Sequence, residues 1–136
     1  MDLHLQHSLS ENQLQQLHQL YQGEWWSKGR SLEETRTCAE RSSLIFALCD
    51  ADQLVAYARV LTDYIFKAFI FDVIVAPGAR QQHIGEHMVK HILQHPDLKN
   101  VRHLELYCLP ELVDFYRRFG FSPEVGDIQL MRYSRV

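Results

Sequence analysis

The sequence predicts a mixed α/β protein, an α+β arrangement of helices on one sheet, and three observations carry that prediction. An almost unbroken apolar run, Lys67-Ala-Phe-Ile-Phe-Asp-Val-Ile-Val75, is rich in β-branched and aromatic residues and suits a strand buried on both faces. Pro77 and Gly78 stop it, and a helical pattern follows, with Ile84, Met88, Val89, Ile92 and Leu93 on one side. Ser10 with Gln13, and Ser31 with Glu34, each open an apolar stripe with the residue pair of a capping box.

In chain order, residues 2–7 alternate weakly and suit a short edge strand. The helix opened by Ser10 carries Leu14, Leu17, Leu20 and Tyr21, and Gly23 ends it. An aromatic and basic loop, Glu24-Trp-Trp-Ser-Lys-Gly-Arg30, leads to the helix opened by Ser31, with Leu32, Thr35, Cys38 and Ala39 as its stripe. Ser43 to Cys49 and Leu54 to Leu61 read as strands joined by the hairpin connection Asp50-Ala-Asp-Gln. Thr62-Asp63 turns the chain into the Lys67–Val75 run, and the helix after it stops at His95-Pro96-Asp97. Val101 to Tyr107 alternates as a strand. Pro110 suits the first turn of a helix burying Leu112, Phe115, Tyr116 and Phe119, with Gly120 just past its end. Ile128 to Tyr133 reads as a last strand. The predicted order is β-α-α-β-β-β-α-β-α-β, in one domain spanning 1–136, with no repeat or linker.

Composition narrows the function classes. At 136 residues, 46% hydrophobic and 23% charged, the chain has the balance of a globular domain. A formal charge of −3 argues against bulk electrostatic binding to nucleic acid, and no apolar stretch approaches a membrane span. The start, Met1-Asp-Leu-His-Leu-Gln-His, lacks the pattern of a signal peptide. Cys38, Cys49 and Cys108 are isolated, so reduced thiols and a cytoplasmic location are expected. His83, His87, His91 and His95 recur every four residues, yet no Cys, Asp or Glu stands at ligand spacing beside them. A solvated helix flank and no metal are the expectation.

A strand, a turn with exposed amides and a helix start form an arrangement that binds phosphate. The stretch Val75-Ala-Pro-Gly-Ala-Arg80-Gln-Gln-His-Ile-Gly85 has that form and is similar to the pyrophosphate-binding motif of the GNAT superfamily of acyl-CoA-dependent N-acyltransferases. Arg80 and Gly85 match the motif, while His83 stands where the family has its first Gly. Phe115-Tyr-Arg-Arg-Phe119-Gly-Phe121 resembles the family's penultimate helix and following turn. Ala58-Arg59-Val60, Thr62-Asp63-Tyr64 and Asp72-Val73 resemble one bacterial branch, and the order of elements fits along nearly the whole chain.

The resemblance implies acetyl-CoA as cosubstrate and a primary amine of a small molecule or peptide as acceptor, attacking the acetyl group directly. The pantetheine arm would lie along Val73, Ile74 and Val75, and the pyrophosphate over Arg80, Gln81, Gln82, His83, Ile84, Gly85 and Glu86. An amide near Val73 or Val75 would stabilise the oxyanion. Tyr116 would serve as general acid or hydrogen-bond donor to the leaving sulfur; its other reading is packing beside Phe115 and Phe119. At position 83 two backbones stay open, a helical one that His tolerates at little cost and a left-handed one that Gly adopts more easily. A homodimer is left open, and so is a non-catalytic acyl-CoA-binding or regulatory role.

Asp72 is the most informative residue, because an acid inside a buried strand is costly unless paired or functional. It reads as the general base, as the partner of a cationic amine, or as a structural acceptor for a basic group such as Arg59. Glu105 is the alternative base, with a solvent-facing strand residue as its plainer reading. Trp25, Trp26 and Arg30 fall where the family's first interhelical loop covers the acceptor; the tryptophans read either as lining an amine pocket with cation–π contact or as core anchors of the loop, the anchor reading being favoured for one of the two. Tyr57, Arg59 and Tyr64 are expected to complete that pocket.

Overall fold

The computed structural model describes all residues 1–136, and its order of elements follows from local chemistry. Strand β1 is Leu3–Gln6, helix α1 Glu11–Gln22, α2 Leu32–Arg41, β2 Leu44–Asp50, β3 Gln53–Thr62, β4 Lys67–Val75, α3 Ile84–Gln94, β5 His103–Leu106 and α4 Val113–Arg117. Both capping boxes form: Ser10 Oγ accepts from the Gln13 amide and Gln13 Oε1 from the Ser10 amide, and Ser31 and Glu34 repeat the exchange. Asp63 holds the β3–β4 turn by accepting from the amides of Ile65, Phe66 and Lys67 at 2.8–3.1 Å. Gly120 takes the left-handed conformation after α4, at φ 98°. No helix is long and apolar enough to cross a membrane.

The strands lie in the order β1-β2-β3-β4-β5, antiparallel except for the parallel pair β4–β5 that the α3 crossover joins. One face of the sheet packs Phe46, Val60 and Ile70 against Ile84, Met88 and Ile92 of α3. The other face packs Ile45, Tyr57 and Ile74 against Leu17 and Tyr21 of α1. The expected mixed α/β class is what forms.

One irregularity shapes everything downstream. Arg59 pairs with Phe71 and Tyr57 with Ile74, so β4 carries one residue more than β3 across that interval. The bulge centres on Asp72, whose φ is 58°. Before it, Ala68 and Ile70 face α3; after it, Val73 and Val75 do, and Ile74 joins the α1 side. Strand β5 pairs only with Lys67–Ile70, which leaves residues 71–75 without a strand partner on that edge.

The expected last strand does not form. Residues 122–136 contain no strand, and Ile128, Leu130 and Met131 are exposed, as is Tyr133 at 85%. Alternation specifies which face a strand would bury, but an extended segment gains its stability only from a ladder partner. Nothing in the fold pairs with this segment.

The histidine series on α3 divides. His83 and His87 are solvated as expected, whereas His95 packs edge-on against His7 of the β1 end at 5.1 Å and Phe46 at 5.4 Å. Burial and the neighbouring His87 and His7 hold the His91 pKa below its ordinary value. The folded protein therefore takes up this proton less readily than the unfolded chain. Its contribution is complete above about pH 6.5 and is lost as pH falls below that value. Urea midpoints should be level at neutral pH and fall below about pH 6.5, and His91→Gln should flatten that first decline. An unchanged slope in the variant would refute this assignment.

Candidate functional site

The anion-binding half is made of backbone. The amides of residues 81 through 86, between the Pro77–Ala79 turn and the second turn of α3, donate to no protein acceptor. Gln81 and His83 both adopt left-handed backbone, at φ 70° and 60°. Left-handed residues of this kind turn successive N–H groups toward one point, and the helix start adds about half a unit of positive charge. The helical alternative for residue 83 is thus not the one adopted. Its side chain is 80% exposed beside Glu86, 3.4 Å away, which leaves the amides clear. A cleft of about 320 Å³ opens over them, lined also by Val75, Arg80, Gly85, Phe115 and Arg118.

Arg118 is the residue the sequence reading missed. It is the second guanidinium of this cleft, with Phe115 and Phe119 under its face and Glu86 at 3.5 Å. Its place on α4 gave no local signal, because the fold alone brings that helix end over α3. Arg80 is held too: Glu24 of the α1–α2 loop accepts from its Nη2 at 2.7 Å. The donor set fits a diphosphate, with free amides in a row and two guanidiniums at the rim.

The second half gathers around Asp72. Its Oδ2 accepts from Tyr21 Oη at 2.9 Å, Arg30 Nη1 at 2.8 Å and Arg59 Nε at 2.7 Å. Burial alone would raise the Asp72 pKa, but hydrogen bonds and charge from Arg30 and Arg59 hold it below the ordinary aspartate value. A proton acceptor working at neutral pH needs a pKa near that pH, so this direction favours the structural reading over the general base. Glu105 pairs with Lys67 at 2.7 Å, with both side chains partly exposed.

Of the expected pocket residues, Tyr57, Arg59, Arg30 and Trp26 come together with Asp72 and Tyr21. Trp26 does not offer its face to an amine, because the Arg30 guanidinium lies over it at 5.4 Å and over Tyr21 at 4.6 Å. Trp25 is 74% exposed, and Tyr64 sits in the β3–β4 turn with its hydroxyl near the Ser43 carbonyl. Neither shares a hydrogen bond or ring contact with the cluster. Tyr57 is fully buried and its hydroxyl has no partner.

Tyr116 is buried in edge-on contact with Phe115 and Phe121, and shares no hydrogen bond with the Asp72 cluster. Burial, with a smaller push from Cys108, takes its pKa up to about 12. Full proton transfer to a thiolate of pKa ~8.5 would then be uphill by about 5 kcal/mol. What its hydroxyl can offer is hydrogen-bond donation and not full proton transfer.

With this geometry described, likeness to other proteins is informative. The family model for the acetyltransferase (GNAT) family matches residues 12–121. The chain is 30% identical over 134 residues to an uncharacterized N-acetyltransferase, ycf52, of Pyropia yezoensis, covering 96% of this chain and 76% of that protein. It is 30% identical over 110 residues to serotonin N-acetyltransferase 2, chloroplastic, of Oryza sativa subsp. japonica; the match covers 78% of this chain but only 55% of the rice protein. Among solved structures, a GNAT-family acetyltransferase, described as putative, from Xanthomonas campestris pv. campestris superposes with a TM-score of 0.82 at 27% identity, over 98% of this chain and 94% of that one.

Removing the central carboxylate tests how the cluster is held. Asp72→Asn leaves two guanidiniums facing each other, and urea unfolding should show a loss of about 3 kcal/mol. Tyr21→Phe, which removes one hydrogen bond to the same oxygen, should cost about 1 kcal/mol. Equal losses in the two variants would rule out the charge pairing as the main contribution.

Proposed function

The chain belongs to the GNAT family of acetyltransferases, and on that premise we propose that it moves an acetyl group from acetyl-CoA to a primary amine of a small molecule or peptide by direct attack. The row of unpartnered amides from Gln81 to Glu86 carries this reading, because so many exposed donors at one helix start call for an anion. Arg80 and Arg118 would hold the remaining phosphate charge. The β4 edge at Val73, Ile74 and Val75 supports an extended arm lying alongside it, since β5 does not reach those residues. Acetyl-CoA supplies the activated acyl group and a good leaving thiolate.

The chain's own contributions are few. A strand amide near Val73 stabilises oxyanion charge, and Tyr116 donates a hydrogen bond toward the sulfur. Asp72 is held ionised by Arg30 and Arg59, which supports a scheme in which the amine enters as its neutral form and loses its proton to water. The serotonin of the rice relative's name is one primary amine among many, and that enzyme is nearly twice as long as the matched part.

Calorimetry with acetyl-CoA, then free-thiol release over a panel of amines, tests the reading. Binding with turnover is expected, and Tyr116→Phe should lower kcat by about 10–100-fold. Binding without turnover over the panel would instead favour a non-catalytic acyl-CoA-binding module.

The pH profile separates a base-free site from one with a hidden base. The logarithm of kcat/KM should rise with a slope of about one up to the acceptor's own pKa, and should move with that pKa when a less basic amine is used. An inflection fixed near neutral pH for every amine would reveal a protein base and overturn the scheme.

A further inference from the structure

We propose that the acceptor carries an anionic group, a carboxylate or a phosphate, beside its amine, and that Arg59 and Arg30 read it. This rests on the acetyltransferase reading above. Two guanidiniums share one carboxylate, at 2.7 and 2.8 Å, so the cluster keeps a surplus positive charge. Another acid near Arg30, Glu34, is exposed and engaged with the Ser31 amide at 2.9 Å.

The donors left over are the ones a planar anion needs. Arg59 spends only Nε on Asp72, and Arg30 only Nη1. Nη1 and Nη2 of Arg59, with Nε and Nη2 of Arg30, have no protein partner. They are not sealed in, because the one enclosed side-chain polar atom without a partner is Tyr57 Oη. That hydroxyl lies in the same field, close enough to Arg59 and Asp72 to feel both charges. A buried hydroxyl with no acceptor is costly, and an anion entering between the guanidiniums would give it one.

The forks are also held in place before any ligand arrives. Arg59 lies over the Phe71 ring at 4.9 Å, and Arg30 over Tyr21 and Trp26. Stacked guanidiniums with free N–H edges suit bidentate recognition of carboxylate or phosphate. All three Asp72 bonds go to Oδ2, while Oδ1 accepts none and remains open to the amine end. The cluster borders the unpaired β4 edge at residues 71–75, where the acyl donor would lie. A purely cationic acceptor meets like charge here, and its aromatic partners are already covered by Arg30.

Matched amines decide the matter. Free-thiol release would be followed at saturating acetyl-CoA with phenylalanine against phenethylamine, and glucosamine 6-phosphate against glucosamine. In any pair that reacts, kcat/KM should favour the anion-bearing member by at least about tenfold. The pair that reacts tells carboxylate from phosphate. Arg59→Gln should bring the ratio near one, and Arg59→Lys should restore part of it. Should that variant not fold, inorganic phosphate added to the wild-type protein decides: inhibition competitive with the amine at saturating acetyl-CoA supports the proposal. Equal or better use of the neutral members, or phosphate inhibition that the amine does not relieve, overturns it while leaving the acetyltransferase reading intact. No thiol release with any amine would sink both.

Discussion

Three donors from three separate elements meet at one oxygen, Asp72 Oδ2, and the geometry of the rest follows from how that carboxylate gets there. Tyr21 comes from α1, Arg30 from the loop before α2, and Arg59 from β3. An unbroken β4 would turn residue 72 toward α3 and into its apolar core. The bulge turns it toward α1 instead, at the expense of a left-handed aspartate. The same extra residue moves Val73 and Val75 onto the α3 face. Below it β4 pairs with β5, and from Phe71 onward it does not. One backbone irregularity thus builds both a charge cluster and an open strand edge, and it places them side by side.

The cations of the two half-sites share a design. Arg80 rests on Glu24, Arg118 on Glu86, and Arg30 and Arg59 divide Asp72 between them. Each pairing keeps a guanidinium oriented without neutralising the site around it. A phosphate arriving at Arg80 competes with Glu24, which begins the loop that also carries Trp26 and Arg30. Exposed ion pairs of this kind are weak, so exchange of partners costs little. The α1–α2 loop therefore touches the amide-lined cleft at one end and the Asp72 cluster at the other.

Local chemistry was legible in the sequence and long-range pairing was not. Ser10, Ser31, Asp63 and the Pro77-Gly78 stop act on neighbours within four residues, and each formed as read. Asp72 stood out as an acid inside an apolar run, with Arg59 on the adjacent strand as its visible partner. Its other partners, Tyr21 and Arg30, lie 51 and 42 residues distant, and no spacing rule reaches that far. The bulge left no trace because no glycine marks it. Residues 128–133 show the converse, a strand pattern that pairs with no edge of the sheet. Trp25 was expected at the acceptor site from the family's interhelical loop and is 74% exposed, because loop position says where a backbone passes and not what a ring covers.

His83 shows how a histidine can stand in the left-handed backbone that a glycine adopts more easily. A glycine reaches φ 60° freely, whereas a histidine there carries a strain of order 1 kcal/mol. That strain falls on the backbone, and the ring that accompanies it is turned out to solvent beside Glu86. The amide at 83 stays as open as its neighbours, so the substitution taxes folding and leaves the anion cradle accessible. Gln81 repeats the pattern two residues earlier. Together with Asp72, these left-handed non-glycine residues lie along the single path from the β4 edge into α3. Strain of this kind survives where surrounding structure enforces it, and at Gln81 and His83 it falls where unpartnered backbone amides border a cleft.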